Sequence, residues 1–128
     1  MSAGMAIYDV MQTLRSPVST ICLGRAASMA AVLLSGGTKG KRMLLPHSEV
    51  MIHQPSGGID GQATDILIAA SHIEALRGEL NNLLAANCGR GLDEITEATD
   101  RDYWMKAWEA VEYGIADHVI TANKEGAE

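Results

Sequence analysis

Two side chains in this sequence sit where their chemistry could be used: a hydroxyl in a turn of small residues, and an imidazole at the end of an apolar run. Ser28 lies in Ala26-Ala27-Ser28-Met29-Ala30-Ala31, shortly after the apolar run Val18 to Leu23 and the breaker Gly24. A serine between a strand and a helix meets backbone N–H groups that favour negative charge. The setting is similar to the nucleophile elbow of serine hydrolases, although the GxSxG pattern is absent. A helix N-cap uses the same residue type at the same place, and spacing does not choose between the two. His53 ends Val50-Met51-Ile52 and precedes Gln54-Pro55. A titratable ring at the mouth of a buried strand suits a general base; a histidine that only satisfies a local hydrogen bond is the plainer alternative.

Other candidates fall away on their patterns. His72 lies inside a long helical pattern and His118 near the C-terminus, so both read as surface or structural residues. Gly36 to Lys41 has the look of a phosphate cradle, but a Walker A loop needs Gly first and Ser or Thr after the Lys. Ser35 and Arg42 stand at those positions, and no nucleotide site is expected. Cys22 and Cys88 have no CxxC and no His at zinc spacing, so they read as small apolar residues in a reducing, cytoplasmic setting.

The elements that must position these side chains follow from periodicity and breakers. Gly4 to Leu14 has helical spacing and stops before Ser16-Pro17. Val18 to Leu23 reads as a buried strand, Ala26 to Leu34 as a helix, and Arg42 to Leu45 and Glu49 to His53 as strands around Pro46. Gln54 to Asp60 reads as extended and exposed. Gln62 to Asn87 is the longest helical pattern, with Ile66, Ala69, Ile73, Leu76, Leu80 and Leu83 spaced alternately by three and four. So narrow a stripe wants a partner helix, and the helix is expected to project and pack on another subunit, with ordinary packing on its own sheet as the alternative. Asp93 to Thr99 and Met105 to Tyr113 read as short helices, the second ended by Gly114, and His118 to Thr121 as a last strand. Alternating strands and helices make an α/β fold, and 128 residues make one domain, 1–128.

Composition removes whole classes. Ten Lys and Arg against sixteen Asp and Glu give a net charge of −6, which disfavours a nucleic-acid surface. With 47% hydrophobic and 20% charged residues the chain has a globular balance. No apolar stretch approaches the ~20 residues of a membrane span, and no leader is visible at the start. Phe is absent, so Ala, Leu, Ile, Val and Met must build the core.

The residues also resemble a known family, the proteolytic subunit of the ATP-dependent Clp protease (ClpP). Thr20 to Ala31 is similar to its active-serine motif, and Arg42 to Pro55, ending Val50-Met51-Ile52-His53-Gln54-Pro55, to its active-histidine motif. Gly57-Gly58, Gly61 to Asp65, Thr99 to Asp102 and Glu109 to Gly114 resemble further segments in order, from about Ala3 to Ile120. The resemblance implies a ClpP/crotonase-like α/β fold in which the long helix is the projecting handle. It implies Ser28 as nucleophile, His53 as general base and Asp102 as the third member of a triad, with Asp100 the nearest rival. Met29 would give a backbone N–H to an oxyanion hole. Pro55, Ser56, Gly57, Gly58 and Ile59 would line a bound peptide, and Gln62, Thr64, Asp100 and Arg101 would lie at a contact between stacked heptameric rings. The implied activity is endopeptidase cleavage of unfolded polypeptides, with ATP used by a separate AAA+ unfoldase of ClpX, ClpA or ClpC type. No cofactor, nucleic-acid partner or membrane is implied.

Set against that family, Met1 to Asp9 aligns with a segment well inside the domain, and the expectation is a chain without the family's N-terminal third and first strands. A second oxyanion donor would go with them, and one such donor is typically worth about 10²–10³ in rate. The alternative to an active subunit is therefore a catalytically impaired or inactive structural ring subunit. An acyl-CoA enzyme of the crotonase type is a weaker third reading, because it gives a Ser-His-Asp set no role.

Overall fold

The computed structural model describes residues 2–122; Met1 and residues 123–128, part of the expected 1–128 domain, lie outside the described residues. In chain order the elements are α1 (Ser2–Thr13), β1 (Thr20–Cys22), β2 (Arg25–Ala27), α2 (Met29–Ser35), β3 (Arg42–Leu44), β4 (Glu49–Ile52), α3 (Ala63–Cys88), α4 (Leu92–Ala98), β5 (Tyr103–Lys106), α5 (Ala107–Tyr113) and β6 (His118–Val119). The fold is α/β, with two small sheets ordered β1-β3-β6 and β2-β4-β5.

Twice the chain passes directly from a strand of the first sheet into a strand of the second. Gly24, at φ +79°, takes the backbone out of β1 and into β2 within three residues, a conformation that a Cβ would disfavour. The second change runs from β3 through residues 45–48 into β4. Ser48 fastens the two corners together: its hydroxyl donates to Cys22 O at 3.0 Å and accepts from Gly24 N–H at 3.2 Å. β1 and β2 therefore run parallel to β3 and β4 with matched registers, Thr20 opposite Arg42 and Arg25 opposite Glu49.

Leu44, Val50, Ile52 and Met105, from the strands of both sheets, are at most 1% exposed. Burial of each such side chain is worth roughly 1.5–3 kcal/mol. Ala31, Ala107 and Ala110 let α2 and α5 approach them closely, which is how a core without Phe closes. β1 is an edge strand, and Ile21 and Leu23 at this edge are exposed.

α3 has 26 residues, about 39 Å of helix. Its apolar residues are buried in a gradient: Leu80 and Leu84 are in the core, Ile73, Leu76 and Leu83 are half-buried, and Ile66, Leu67 and Ile68 are exposed. The helix thus roots in the body by its C-terminal half, and its N-terminal turns stand clear.

Two short strands replace expected helix. Ala26 and Ala27 have high intrinsic helix propensity, yet they pair with Val50 and Met51 in β2, so α2 begins only at Met29. Met105 belongs to β5, and α5 begins at Ala107. Tertiary pairing overrides propensity in both places, and both lie next to the site described below. Lys106, the N-cap of α5, has no acceptor atom, so only Glu109 serves that helix start, accepting the Lys106 N–H at 3.4 Å. Lys106→Ser is expected to supply the missing acceptor and raise stability by about 1 kcal/mol. Thermal unfolding should register this as a gain of about 4 °C.

Candidate active site

Strand register brings the site together. The β2–β4 ladder ends at Ala27 opposite Met51, and Ser28 N–H still donates to Met51 O at 2.9 Å. The chain then bends sharply: Ser28 has φ 58° and ψ −121° and is the one non-glycine residue with positive φ among the described residues. Holding a side-chain-bearing residue there costs about 1–3 kcal/mol and persists only where the surroundings enforce it. Here the strand on one side and α2 on the other enforce it. The result is an elbow that lifts the hydroxyl out of the backbone's reach.

The elbow bears on the first ambiguity of the sequence. Ser28 stands at the N-cap position of α2 but makes no side-chain cap there. Its carbonyl accepts from Ala31 and Val32, and its Oγ lies 2.9 Å from His53 Nε2. Met29, the first residue of α2, has an N–H without an intrahelical partner, beside that hydroxyl.

His53 and Asp102 are placed by the other ladder. β4 and β5 are antiparallel with Ile52 opposite Tyr103, so the next opposed pair is His53 and Asp102. Nδ1 of His53 is 3.3 Å from Oδ1 of Asp102. A ring that donates from Nδ1 to a carboxylate keeps Nε2 free to accept the Ser28 proton. Ser28, His53 and Asp102 therefore stand in one line, a hydrogen bond joining the first two and a 3.3 Å contact the last two. Asp100, the rival acid, makes its ion pair elsewhere: its carboxylate is 3.9 Å from Arg77 on α3. The His53 side chain is 24% exposed and that of Asp102 61%, so the line runs from a half-covered ring to open solvent. His53, Gln54, Ser56, Asp100, Arg101 and Asp102 line a cleft of about 650 Å³ there.

Pro55 and Ile59 are half-buried and Ser56, Gly57 and Gly58 exposed, and residues 55–61 make no backbone hydrogen bond among the described residues. Gly57 passes close to α3, where an added Cβ would lie 3.2 Å from Ile73 Cδ1. Gln62 and Thr64, at the free end of α3, are exposed, as are Asp100 and Arg101. Thr99 and Asn81 belong to the site's support and carry no sign of it in the sequence. Thr99 is wholly buried beneath the Asp102 loop and donates to Asn81 Oδ1 of α3 at 3.2 Å. Small neutral polar residues give no signal until the helices that bring them together are known.

Neither cysteine competes as a nucleophile. Burial pushes the Cys22 thiol up and the Cys88 thiol to about 11, so both are protonated at neutral pH. Among the described residues, no cluster of three or more His, Cys, Asp or Glu is placed to hold a metal, and no helix is long and apolar enough to cross a membrane. The family model for Clp protease matches residues 1–123, a span that takes in the elbow, both ladders and the long helix.

Proposed function

Because the chain belongs to the Clp protease family, we propose that it is a serine endopeptidase subunit with Ser28 as nucleophile, His53 as general base and Asp102 as the residue that orients it. At family level the activity is that of a ClpP-type peptidase working with Clp ATPases. The observation that carries the finer reading is the 2.9 Å approach of Ser28 Oγ to His53 Nε2, made by a serine whose side chain caps no helix N–H.

A neutral serine hydroxyl is a weak nucleophile. His53 Nε2 takes its proton as Oγ adds to the scissile carbonyl, and the resulting imidazolium is stabilised by Asp102. The tetrahedral oxyanion develops beside the Met29 N–H, which is worth most if already aimed when the charge appears. His53 returns the proton to the leaving amine, leaving an acyl-enzyme on Ser28. A water, deprotonated by the same ring, then releases the acid. No cofactor enters these steps.

The open backbone of residues 55–61 suits a peptide held by main-chain hydrogen bonds, with little side-chain selectivity. Substrates are then unfolded polypeptides, delivered by an AAA+ unfoldase of ClpX, ClpA or ClpC type that uses the ATP. The exposed end of α3, with Gln62, Thr64, Asp100 and Arg101, is the surface we assign to contacts between stacked heptameric rings. A reducing, cytoplasmic setting and no nucleic-acid partner accord with two unpaired cysteines and a net charge of −6.

A fluorophosphonate probe tests the assignment. Intact mass should show one adduct, peptide mapping should place it on Ser28, and His53→Ala should suppress it. Equal labelling of wild type and Ser28→Ala would refute the nucleophile. Rings that assemble but neither label nor cleave a short fluorogenic peptide would establish the structural-subunit alternative.

A further inference from the structure

The His53–Asp102 contact lies one step beyond the last ladder pair, Ile52 opposite Tyr103. Ladder pairing alone fastens only one side of it. Asp102 is also the most exposed member of the line and sits on a loop whose residues 100–102 are all exposed. Something must fasten the other side if the carboxylate is to stay in reach of Nδ1.

Gln54 does this with two hydrogen bonds. Its backbone N–H donates to Thr99 O at 2.7 Å, and its side-chain Nε2 donates to Asp100 O at 2.9 Å. Both acceptors belong to the loop that carries Asp102. The loop is anchored beneath, because Thr99 is fully buried and its hydroxyl reaches Asn81 Oδ1 of α3 and Ile95 O of α4. His53 is thus bracketed between the Ile52–Tyr103 pair on one side and the Gln54 clamp on the other. We propose that Gln54 is a positioning residue for this site: its carboxamide donor holds the Asp100–Asp102 loop against the end of β4 and so sets the His53–Asp102 contact. The proposal rests on the triad reading above and adds a residue to it.

The backbone half of the clamp survives any side-chain change, so substitution removes one hydrogen bond of the two. Gln54→Met keeps length and loses the donor, whereas Gln54→Lys keeps a donor of similar reach. A loosened orienting acid weakens a step that occurs in the transition state and leaves ground-state peptide binding alone. For the full chain, Gln54→Met is expected to lower kcat on a fluorogenic peptide about tenfold with KM changed by less than about twofold, since small displacements at a reacting centre are amplified in rate. Gln54→Lys should recover most of that loss. The low-field proton resonance of His53 Nδ1–H should broaden or vanish in Gln54→Met and persist in Gln54→Lys.

Wild-type kcat and an unchanged resonance in Gln54→Met would overturn the proposal. So would equal impairment of the Met and Lys variants, or a lowered unfolding temperature with kcat intact, which would make Gln54 a merely structural contact. The resonance reads the clamp without turnover, whereas absence of wild-type labelling at Ser28 speaks against the protease reading itself, so the two failures are distinguishable.

Discussion

Replacing His53 with alanine is expected to reduce peptide hydrolysis by a factor on the order of 10⁶, the largest effect any single change in this chain should have on rate. The size follows from what remains. Without the ring, Ser28 has no acceptor for its proton at 2.9 Å, and its hydroxyl is no better a nucleophile than a water held in the same place. Binding along residues 55–61 and the Met29 N–H would survive, which leaves a small residual rate above the uncatalysed reaction. The double variant Ser28→Ala/His53→Ala should be no slower than either single, because the two side chains act as one unit. Asp102→Asn should cost less, about 10⁴, since an amide can still touch the ring but stabilises the wrong tautomer. Steady-state kinetics on a short fluorogenic peptide, with unfolding curves run in parallel, check all four proteins. His53 is partly exposed and outside the core, so its loss should leave stability almost unchanged. A His53→Ala protein that is folded and within tenfold of wild type would remove the ring from the mechanism.

What is legible in the sequence depends on the kind of information that places each residue. His53 is legible because a strand of apolar residues ends on it, and that pattern is local. Ser28 is legible as a residue at a strand–helix junction, but not as a nucleophile. The choice between a cap and an elbow is a backbone angle, and φ 58° is imposed by pairing with β4 rather than written in Ala-Ala-Ser-Met. Asp102 is invisible to composition and spacing. Its role depends on β5 lying antiparallel to β4, and the segment from Met105 has the pattern of a helix, so the register that opposes 102 to 53 cannot be drawn from it. Only the resemblance to a family singles it out. The long helix is legible almost from end to end, since an apolar period sustained from Ile66 to Leu83 fits little besides a helix. Gln54 and Thr99 fall in segments that resemble the family, but what they and Asn81 hold is not legible: neutral polar side chains acquire meaning only from the partners that a finished fold provides.

Asp117→Ala is expected to be the most damaging single change to stability, costing about 3–5 kcal/mol. Arg42 is 2% exposed, and its side chain is almost wholly withdrawn from the surface. Asp117 holds it through a two-pronged contact, Oδ2 at 2.9 Å from Nε and Oδ1 at 2.8 Å from the second terminal nitrogen. The first terminal nitrogen donates to Ser35 O and Asn87 O, at the ends of α2 and α3. Asp117 also accepts from the Gly40 N–H at 2.7 Å. One ion pair thus ties together β3, the 36–41 loop, two helix ends and the entry to β6. Removing the carboxylate strands a buried cation, whereas Arg42→Met/Asp117→Ala removes both charges and should cost less than Asp117→Ala alone. Set against a usual total of about 5–15 kcal/mol, the single change takes about a fifth or more of the margin. The same pair gives a pH signature. The hydrogen bonds from the Arg42 side chain hold the Asp117 carboxyl down at about 2, outweighing its partial burial. A depressed folded value means stability that is fully present above the ordinary carboxylate range and is lost as pH falls towards 2. That contribution is about 2 kcal/mol and should disappear between roughly pH 4 and pH 2. Urea unfolding at pH 7 and across that acid range measures both effects. The Asp117→Asn variant should show a shallower acid loss than wild type, and an equally steep one would mean that another carboxylate carries it.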